Sequence, residues 1–147
     1  MLDRNKIGHE FTAFTTDVEK GRLKFFAKAI GETNPIYTDE TAAWEAGYSS
    51  LPAPPTFPMA LDMDGPEDMP VLDVLDIDIS KLLHGTQEFE YHAPICAGDS
   101  ITITSRISDM FDKKGGALEF VVSENSYTNQ NGQLVAKATS TLVVRNG

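Results

Sequence analysis

Residues 101–128, ITITSRISDMFDKKGGALEFVVSENSYT, decide the fold class of this chain. β-Branched and aromatic residues are frequent on both sides of DKKGG, whose glycines tolerate the positive φ angles of a tight turn. Thr102 and Thr104 alternate with isoleucines, which predicts a strand with one wetter face. The stretch therefore predicts two antiparallel strands joined by a hairpin.

The same pattern extends in both directions from this hairpin. Two further β-rich runs cover residues 85–92 and 134–145, and they are joined to the hairpin by the turn sequences AGDS and NQNG. Another short strand or extended segment is predicted within residues 7–16. The last third of the chain is thus predicted to form an antiparallel meander.

The first half of the chain instead favours helices. Apolar residues recur at three- and four-residue spacing over residues 17–30, which predicts a helix with one buried face that ends at Gly31. Thr38 or Asp39 can cap a second short helix, and residues 54–62 predict a third that begins with proline. Helices followed by an antiparallel meander indicate an α+β fold, in which the sheet buries one face on a helix.

The composition limits the classes of protein and partner. With 147 residues, 41% hydrophobic and 23% charged, the sequence predicts one globular domain over residues 1–147. The single cysteine, Cys96, excludes an internal disulfide framework and cannot by itself build a thiolate metal site. The net charge of −10 argues against nucleic-acid partners and anionic membrane surfaces. Without a spanning apolar run or an apolar leader, the chain is expected to be cytoplasmic, with no metal or cofactor.

Two other features are expected to be structural. Trp44, in the second predicted helix, is expected to anchor the core. The acidic stretch over residues 62–78 is expected to be a solvated surface, either as a mobile loop or as an edge element. Neither feature by itself indicates a binding site.

Three segments resemble the MaoC-like acyl dehydratases, a hot-dog family that includes R-specific enoyl-CoA hydratases. The segments are FAKAIGETNPIYTDETAAWEAGY (26–48), LPAPPTFPMAL (51–61) and HGTQEFEYHAPICAGD (84–99). The pattern is most similar to the N-terminal-half type of MaoC domain. The resemblance implies an antiparallel sheet wrapped around a central helix that begins near Pro54. It also implies a dimer with joined sheets, interface tunnels, and an overhang over residues 31–52 that covers the pocket.

The resemblance also implies where catalysis would take place. Hydratases of this family carry Asp-x-Asn-Pro-x-His in the overhang, and the Asp and His bind the reacting water. This chain reads Glu32-Thr33-Asn34-Pro35-Ile36-Tyr37, which keeps Asn-Pro and changes both catalytic positions. Glu32 keeps the carboxylate but displaces it by about 1 Å, a shift that can cost on the order of a hundredfold in rate. Tyr37 is a poor base because tyrosine titrates near ~10 and histidine near ~6.5.

The resemblance places further candidates near the same pocket. His84, at a strand entrance, is a surrogate base or a polar pocket contact; otherwise it is a hydrogen-bonded histidine at a strand end. His92 is expected to be structural. Thr56 and Phe57 begin the central helix, where backbone amides can polarise a thioester carbonyl, although core packing is an equal alternative. Together with Asn34, these two residues are the candidate substrate-binding residues.

Three functions stay open at this point. The chain could be a self-sufficient 3-hydroxyacyl dehydratase or enoyl-CoA hydratase. It could instead be a non-catalytic, substrate-shaping subunit beside a second MaoC-like subunit, which the altered Asp/His pair favours. A third alternative is an acyl-CoA thioesterase or acyl-thioester-binding protein, for which Glu32 is the candidate carboxylate. The ligand would be an acyl-CoA or acyl-carrier thioester, bound by a homodimer or heterodimer. Basic residues for its phosphates could come from a partner or from Arg22, Lys24 and Lys28.

Overall fold

A computed structural model describes residues 1–66 and 68–146. The helices are α1 (Lys20–Ala29), α2 (Glu40–Glu45), α3 (Phe57–Asp62) and α4 (Pro70–Leu75). The strands are β1 (Phe14–Asp17), β2 (Leu82–Tyr91), β3 (Ser100–Lys113), β4 (Leu118–Thr128) and β5 (Leu134–Arg145). None of the helices among the described residues is long and apolar enough to cross a bilayer.

All five strands form one antiparallel sheet, in the order β1-β3-β4-β5-β2. β3, β4 and β5 form the predicted antiparallel meander, and β5 has the predicted bounds. β2 does not continue it, because β2 pairs with β5 and not with β3, the strand that follows it in the chain. The alternation along β3 is also confirmed, since Ile101 and Ile103 are buried while Thr104 is exposed. Because β2 is an edge strand, its outer side has no partner strand among residues 1–66 and 68–146.

The core consists of two separate clusters on the face of the sheet that α3 and α4 cover. The first includes Phe57 and Leu61 of α3, both fully buried, packed with residues of β3, β4 and β5. The second includes Val71 and Leu75 of α4 with apolar residues nearer the other end of the same strands. The sheet therefore wraps around a short helical segment, as the hot-dog resemblance implies.

Two predictions about the first helices are confirmed and two are wrong. Gly31 follows α1 with a φ of 72°, and the Asp39 carboxylate caps α2 by accepting from two of its backbone amides. However, Ile30 is 51% exposed, because it lies past the last turn of α1. Trp44 is 57% exposed and donates its indole N–H to the Ser49 carbonyl, so it does not anchor the core.

The acidic stretch is not simply a solvated loop, and this expectation is corrected. Glu67 lies outside the described residues, but the rest contains α4 and three residues of the second core cluster: Val71, Leu75 and Ile77. These three residues face the sheet, whereas Met63, Met69 and most of the carboxylates are exposed. Asp62 is the exception, since its carboxylate accepts hydrogen bonds from the Tyr127 hydroxyl.

The register of the ladder shifts at three places among the described residues: in β2, in β3 and between Tyr127 and Thr128 of β4. In β2 the register with β5 shifts between His84 and Thr86, so Gly85 is the extra residue. A Cβ added to Gly85 would lie 2.9 Å from the Thr141 carbonyl oxygen, which leaves no room for a side chain. In β3 a corresponding shift occurs around Ser108.

Candidate functional site

The predicted overhang covers a cavity at the N-terminal end of α3. The cavity has a volume of about 340 Å³. Its lining comes from the overhang, from the proline-rich approach to α3 and from the end of β2, and includes Tyr37, Tyr48, Pro54, Pro58, Tyr91 and His92. We call it the overhang cavity. Four prolines of residues 52–58 contribute to its wall, and their fixed φ angles make that wall stiff.

Glu32 is held by its own loop. Its backbone amide donates to the Ala27 carbonyl at 2.9 Å, which continues the end of α1 into the overhang. Its Oε1 accepts from the backbone amides of Thr33 and Asn34, both at 2.8 Å. One carboxylate oxygen is therefore already used in shaping the overhang, and Glu32 is not among the residues lining the cavity.

Asn34 has a similar local role. Its Oδ1 accepts from the Ile36 amide at 3.2 Å and so caps the short 3₁₀ turn Pro35–Tyr37. Asn34 and Pro35 thereby orient the turn that places Tyr37 at the cavity. The Asn34 side chain itself is exposed.

Of the two changed motif residues, Tyr37 lines the overhang cavity. Partial burial, the nearby Glu32 carboxylate and the neighbouring Tyr48 all raise the pKa of its hydroxyl. Burial also raises the pKa of Tyr91, whose hydroxyl donates to the Pro55 carbonyl. Both phenols stay protonated at neutral pH and cannot remove a proton from a ligand. Tyr37 can donate a hydrogen bond to a ligand, whereas the Tyr91 proton is already given to Pro55.

The histidine of this cavity is His92, which the sequence analysis assigned a structural role. Its Nε2 lies 2.9 Å from Glu90 Oε1, and its backbone amide donates to the Val135 carbonyl. The sequence instead predicts His84 as the histidine of the site, because it lies at a strand entrance. The turn after β2 brings His92 to the overhang cavity. The sequence feature that indicates this position is the Tyr91-His92 pair just before a proline turn.

His84 lies in a different cavity, so the structure does not bring it together with Glu32 and Tyr37. Its Nε2 is 3.0 Å from the Thr86 carbonyl oxygen. It lines a space of about 250 Å³ between the sheet, the C-terminal end of α3 and α4, which we call the inner cavity. The expected role of His84 as a base beside the overhang motif therefore does not fit this geometry. The two cavities share no lining residue among the described part of the chain.

Thr56 and Phe57 begin α3 beside the overhang cavity, but Phe57 does so as a core residue. Its ring is fully buried and meets Phe26 edge-on, with ring centroids 5.2 Å apart. Its amide donates to the Pro54 carbonyl at 2.9 Å and is not available to a ligand in this conformation. Thr56 makes no side-chain capping bond and is exposed.

The overhang cavity can therefore hold and polarise a small polar group, and His92, the imidazole that lines it, is paired with Glu90. Phenolic hydroxyls surround a stiff apolar wall, as in a pocket that orients a carbonyl. A metal centre has no support either: within residues 1–66 and 68–146, no three His, Cys, Asp or Glu side chains are grouped to hold an ion.

Comparison with known proteins agrees with this geometry. A family model for the FAS1-like dehydratase domain region matches residues 5–138. The chain belongs to this family. The FAS1-like dehydratase chain is also 36% identical over 129 residues to the UPF0336 protein of Thermobifida fusca, covering 88% of this chain and 84% of that protein. The chain is 37% identical over 146 residues to the UPF0336 protein of Saccharopolyspora erythraea, which covers 98% of this chain and 92% of that protein.

Solved structures identify the architecture of the FAS1-like dehydratase chain as a MaoC-like hot dog. It is similar to a chain of the HadBC (3R-hydroxyacyl-ACP dehydratase) complex of Mycobacterium tuberculosis, with TM-score 0.81, 28% identity, and coverage of 94% and 96%. A MaoC-like dehydratase gives TM-score 0.84 and 25% identity, covering 95% of this chain and 42% of that one. A chain of the ChsH1–ChsH2 complex of M. tuberculosis shares the fold, with TM-score 0.77 and 22% identity. The match covers 93% of this chain and 89% of that one. The predicted fold and superfamily are confirmed.

Proposed function

We propose that this chain is the substrate-binding subunit of a 3-hydroxyacyl-thioester dehydratase, or R-specific enoyl hydratase in the reverse direction. A second MaoC-like subunit would supply the catalytic carboxylate and histidine. The substrate would be an acyl-CoA or acyl-carrier thioester in the cytoplasm. The observation that carries this proposal is Tyr37: a phenol with a raised pKa lies where a general base would be needed.

The chemistry of dehydration requires such a base. A proton leaves the carbon next to the thioester carbonyl while the 3-hydroxyl leaves as water, so one group must accept a proton and another must donate one. A base is most effective when its pKa is near the working pH, which excludes Tyr37. Glu32 has Oε1 bound by two backbone amides, which directs that oxygen into the overhang loop. The phenols of Tyr37 and Tyr48 can instead donate to the thioester carbonyl.

The edge strand supports association with a second subunit. β2 presents ten residues of open backbone edge, on which Leu83 is 48% exposed and Tyr91 is 54% exposed. Unpaired edges of this length favour pairing with another strand. Because Tyr91 also lines the overhang cavity, a strand added to β2 would lie next to the proposed substrate site. The similar HadBC and ChsH1–ChsH2 structures are both complexes.

The test compares the chain alone with the chain co-purified with a MaoC-like subunit that keeps the Asp and His. Hydration of crotonyl-CoA is followed by the loss of its enoyl-thioester absorbance. We expect no turnover by the folded chain alone and turnover by the complex, with Tyr37→Phe in this chain lowering kcat/KM severalfold. Turnover by the chain alone would contradict the proposal.

The same assay separates the two alternatives. In a self-sufficient hydratase, His92 would be the base, so His92→Ala would abolish turnover by the isolated chain. His9→Ala, which changes a histidine outside the cavity, would not.

A thioesterase would instead release free coenzyme A thiol from a saturated acyl-CoA, and Glu32→Gln would abolish that release. The backbone bonds to Glu32 argue against this third activity.

A further inference from the structure

The inner cavity has a polar floor in the middle of an apolar sheet face. Along β3 the inward-facing residues are Ile103, Ser105 and Ile107, so a serine interrupts the apolar row. Along β5 the corresponding row is Ala138, Ser140 and Leu142. Ile103 and Ala138 belong to the first core cluster, and Ile107 belongs to the second. The polar residues therefore lie where the two clusters separate.

Strand register joins these residues into one belt across four strands. Ser105 of β3 is opposite Asn125 of β4. Ser123 of β4 is opposite Ser140 of β5, which is opposite Gln87 of β2. All five side chains line the inner cavity, and we call them the polar belt. Ser123 and Asn125 lie two residues apart on one face of β4, so the belt steps once as it crosses the sheet. Core packing does not explain this belt, because apolar residues there would join the two clusters.

Asp62 brings a carboxylate to the same space from the opposite wall. It is the last residue of α3, and its two oxygens accept from the Tyr127 hydroxyl at 2.8 and 2.9 Å. Asn125 of the belt also bonds to it. Burial raises the pKa of Asp62 to about 6, although the bonds from Tyr127 and Asn125 act in the opposite direction. At neutral pH the cavity thus holds an oriented acceptor with most of its charge.

Three methionines contribute to the mouth of the inner cavity, beside exposed polar residues such as Asp68 and His84. Met59, Met63 and Met69 line it and are all exposed to solvent, by 42%, 74% and 37%. Flexible thioether side chains adapt to apolar chains of varied shape. An occupant would therefore meet apolar contacts at the rim and hydrogen-bonding groups on the floor.

The inner cavity and the overhang cavity both border α3. Pro58 lines the overhang cavity, and Met59, the next residue of a helix that is only six residues long, lines the inner cavity. We expect the tail of a thioester held beneath the overhang to extend along α3 towards the inner cavity.

We propose that the inner cavity binds the tail of an acyl chain that carries a hydroxyl group remote from the thioester, with the hydroxyl donating to Asp62 and accepting from the polar belt. This inference rests on the proposed function, since it deepens the substrate class of the same subunit. A carboxylate-ended tail would be repelled by Asp62, and a purely hydrocarbon tail would place apolar groups against the polar belt and the Asp62 carboxylate.

The test uses saturated thioesters of pantetheine, the arm that coenzyme A and carrier proteins share, so that no turnover interferes. Calorimetry would compare decanoyl-pantetheine with its 3-, 6-, 8- and 10-hydroxy derivatives on the whole chain with its partner subunit. One remote hydroxyl position is expected to bind about tenfold more tightly than the unsubstituted chain, since a hydrogen bond to a charged group contributes about 1.5 kcal/mol or more.

Two sets of variants assign that preference to the inner cavity. Asp62→Leu with Tyr127→Phe replaces the polar pair by apolar groups, and Ser123→Ala with Ser140→Ala removes two belt hydroxyls. Each should reduce the hydroxyl preference at least threefold. Ser126→Ala, on the same strand but on the opposite face of the sheet, should leave it unchanged.

The remaining outcomes overturn the inference in distinguishable ways. Equal binding of all esters, or preference for the 3-hydroxy derivative alone, would overturn the remote-hydroxyl site while leaving the proposed function intact. Binding of no ester, together with no hydration of crotonyl-CoA by the complex, would overturn both. A preference that survives both sets of variants would place the hydroxyl elsewhere and overturn the assignment to this cavity.

Discussion

The two ends of α3 differ in chemistry although the helix is only six residues long. At the N-terminal end, the overhang cavity combines prolines with Tyr37, a phenol whose pKa is raised. At the C-terminal end, the inner cavity combines a carboxylate with amide and hydroxyl groups on the sheet. The first cavity has a stiff wall of prolines, and the second places one buried carboxylate and a polar belt within an otherwise mainly apolar lining. The comparison indicates that a short buried helix can separate the reacting end of a substrate from its tail, so that each is recognised by different groups.

The largest expected effect comes from truncating a core residue of α3, the helix that both cavities border. Phe57 is fully buried in the first cluster and contacts Phe26 edge-on. Phe57→Ala should lower the free energy of unfolding by about 3–5 kcal/mol. Urea denaturation measures the loss. Thr56→Ala, next to it but exposed, should change stability by less than about 0.5 kcal/mol, and a similar loss for both would contradict the assignment of Phe57 as a core residue.

Asp62→Asn should sharpen the contrast, because it changes only the charged cavity. The folded chain holds the Asp62 proton more tightly than the unfolded chain, with a pKa near 6 instead of 3.8. Its contribution to stability is therefore greatest below the unfolded value and declines as the pH rises through the folded value. At pH 7.5 the ionised form costs on the order of 2–3 kcal/mol, so the variant should be more stable there by about 1–3 kcal/mol and nearly unchanged at pH 3.

Asp64→Asn is the matched control for that measurement. Partial desolvation acts to raise the pKa of Asp64, but hydrogen bonds and charge from Arg22, with a bond from Thr16, hold it below its ordinary value. Its contribution is present at neutral pH and is lost on acidification, so this variant should be less stable at pH 7.5. Equal shifts in both variants would show that the effect is one of net charge and not of the inner cavity.

A smaller effect is expected in the overhang itself. Glu32→Ala removes the acceptor for two backbone amides of the overhang and should cost about 0.5–1.5 kcal/mol. Glu32→Gln keeps an oxygen there and should recover most of that stability, together with the activity of the complex. Restored stability with abolished activity would instead make the Glu32 charge catalytic.

The smallest expected effect on stability is that of Tyr37→Phe. The hydroxyl is half-buried and faces the cavity, so its removal should change the free energy of unfolding by less than about 0.5 kcal/mol. The effect should appear instead as weaker binding of decanoyl-pantetheine, while Tyr127→Phe alone should leave binding of that unsubstituted ester nearly unchanged. The reverse pattern would contradict the assignment of thioester and tail to the two cavities.

The sequence was sufficient for the fold and for the position of the overhang, because strand alternation, turn residues and the Asn34-Pro35 pair act locally. It was not sufficient to assign side chains to cavities. Asp62 could not be distinguished from the other carboxylates of its acidic stretch, since its burial depends on Tyr127, 65 positions away. Which of His84 and His92 lies beneath the overhang depends likewise on how β2 and the turn after it cross the sheet.

The bulge at Gly85 also changes how this region should be compared between related chains. In a regular strand, positions three apart such as His84 and Gln87 point to opposite faces. The extra residue resets the two-residue phase, so that both side chains reach the inner cavity. A relative lacking one residue here would turn either His84 or Gln87 outward while looking nearly identical in an alignment. A single gap in HGTQ would thus predict a different tail pocket even where every polar residue is retained.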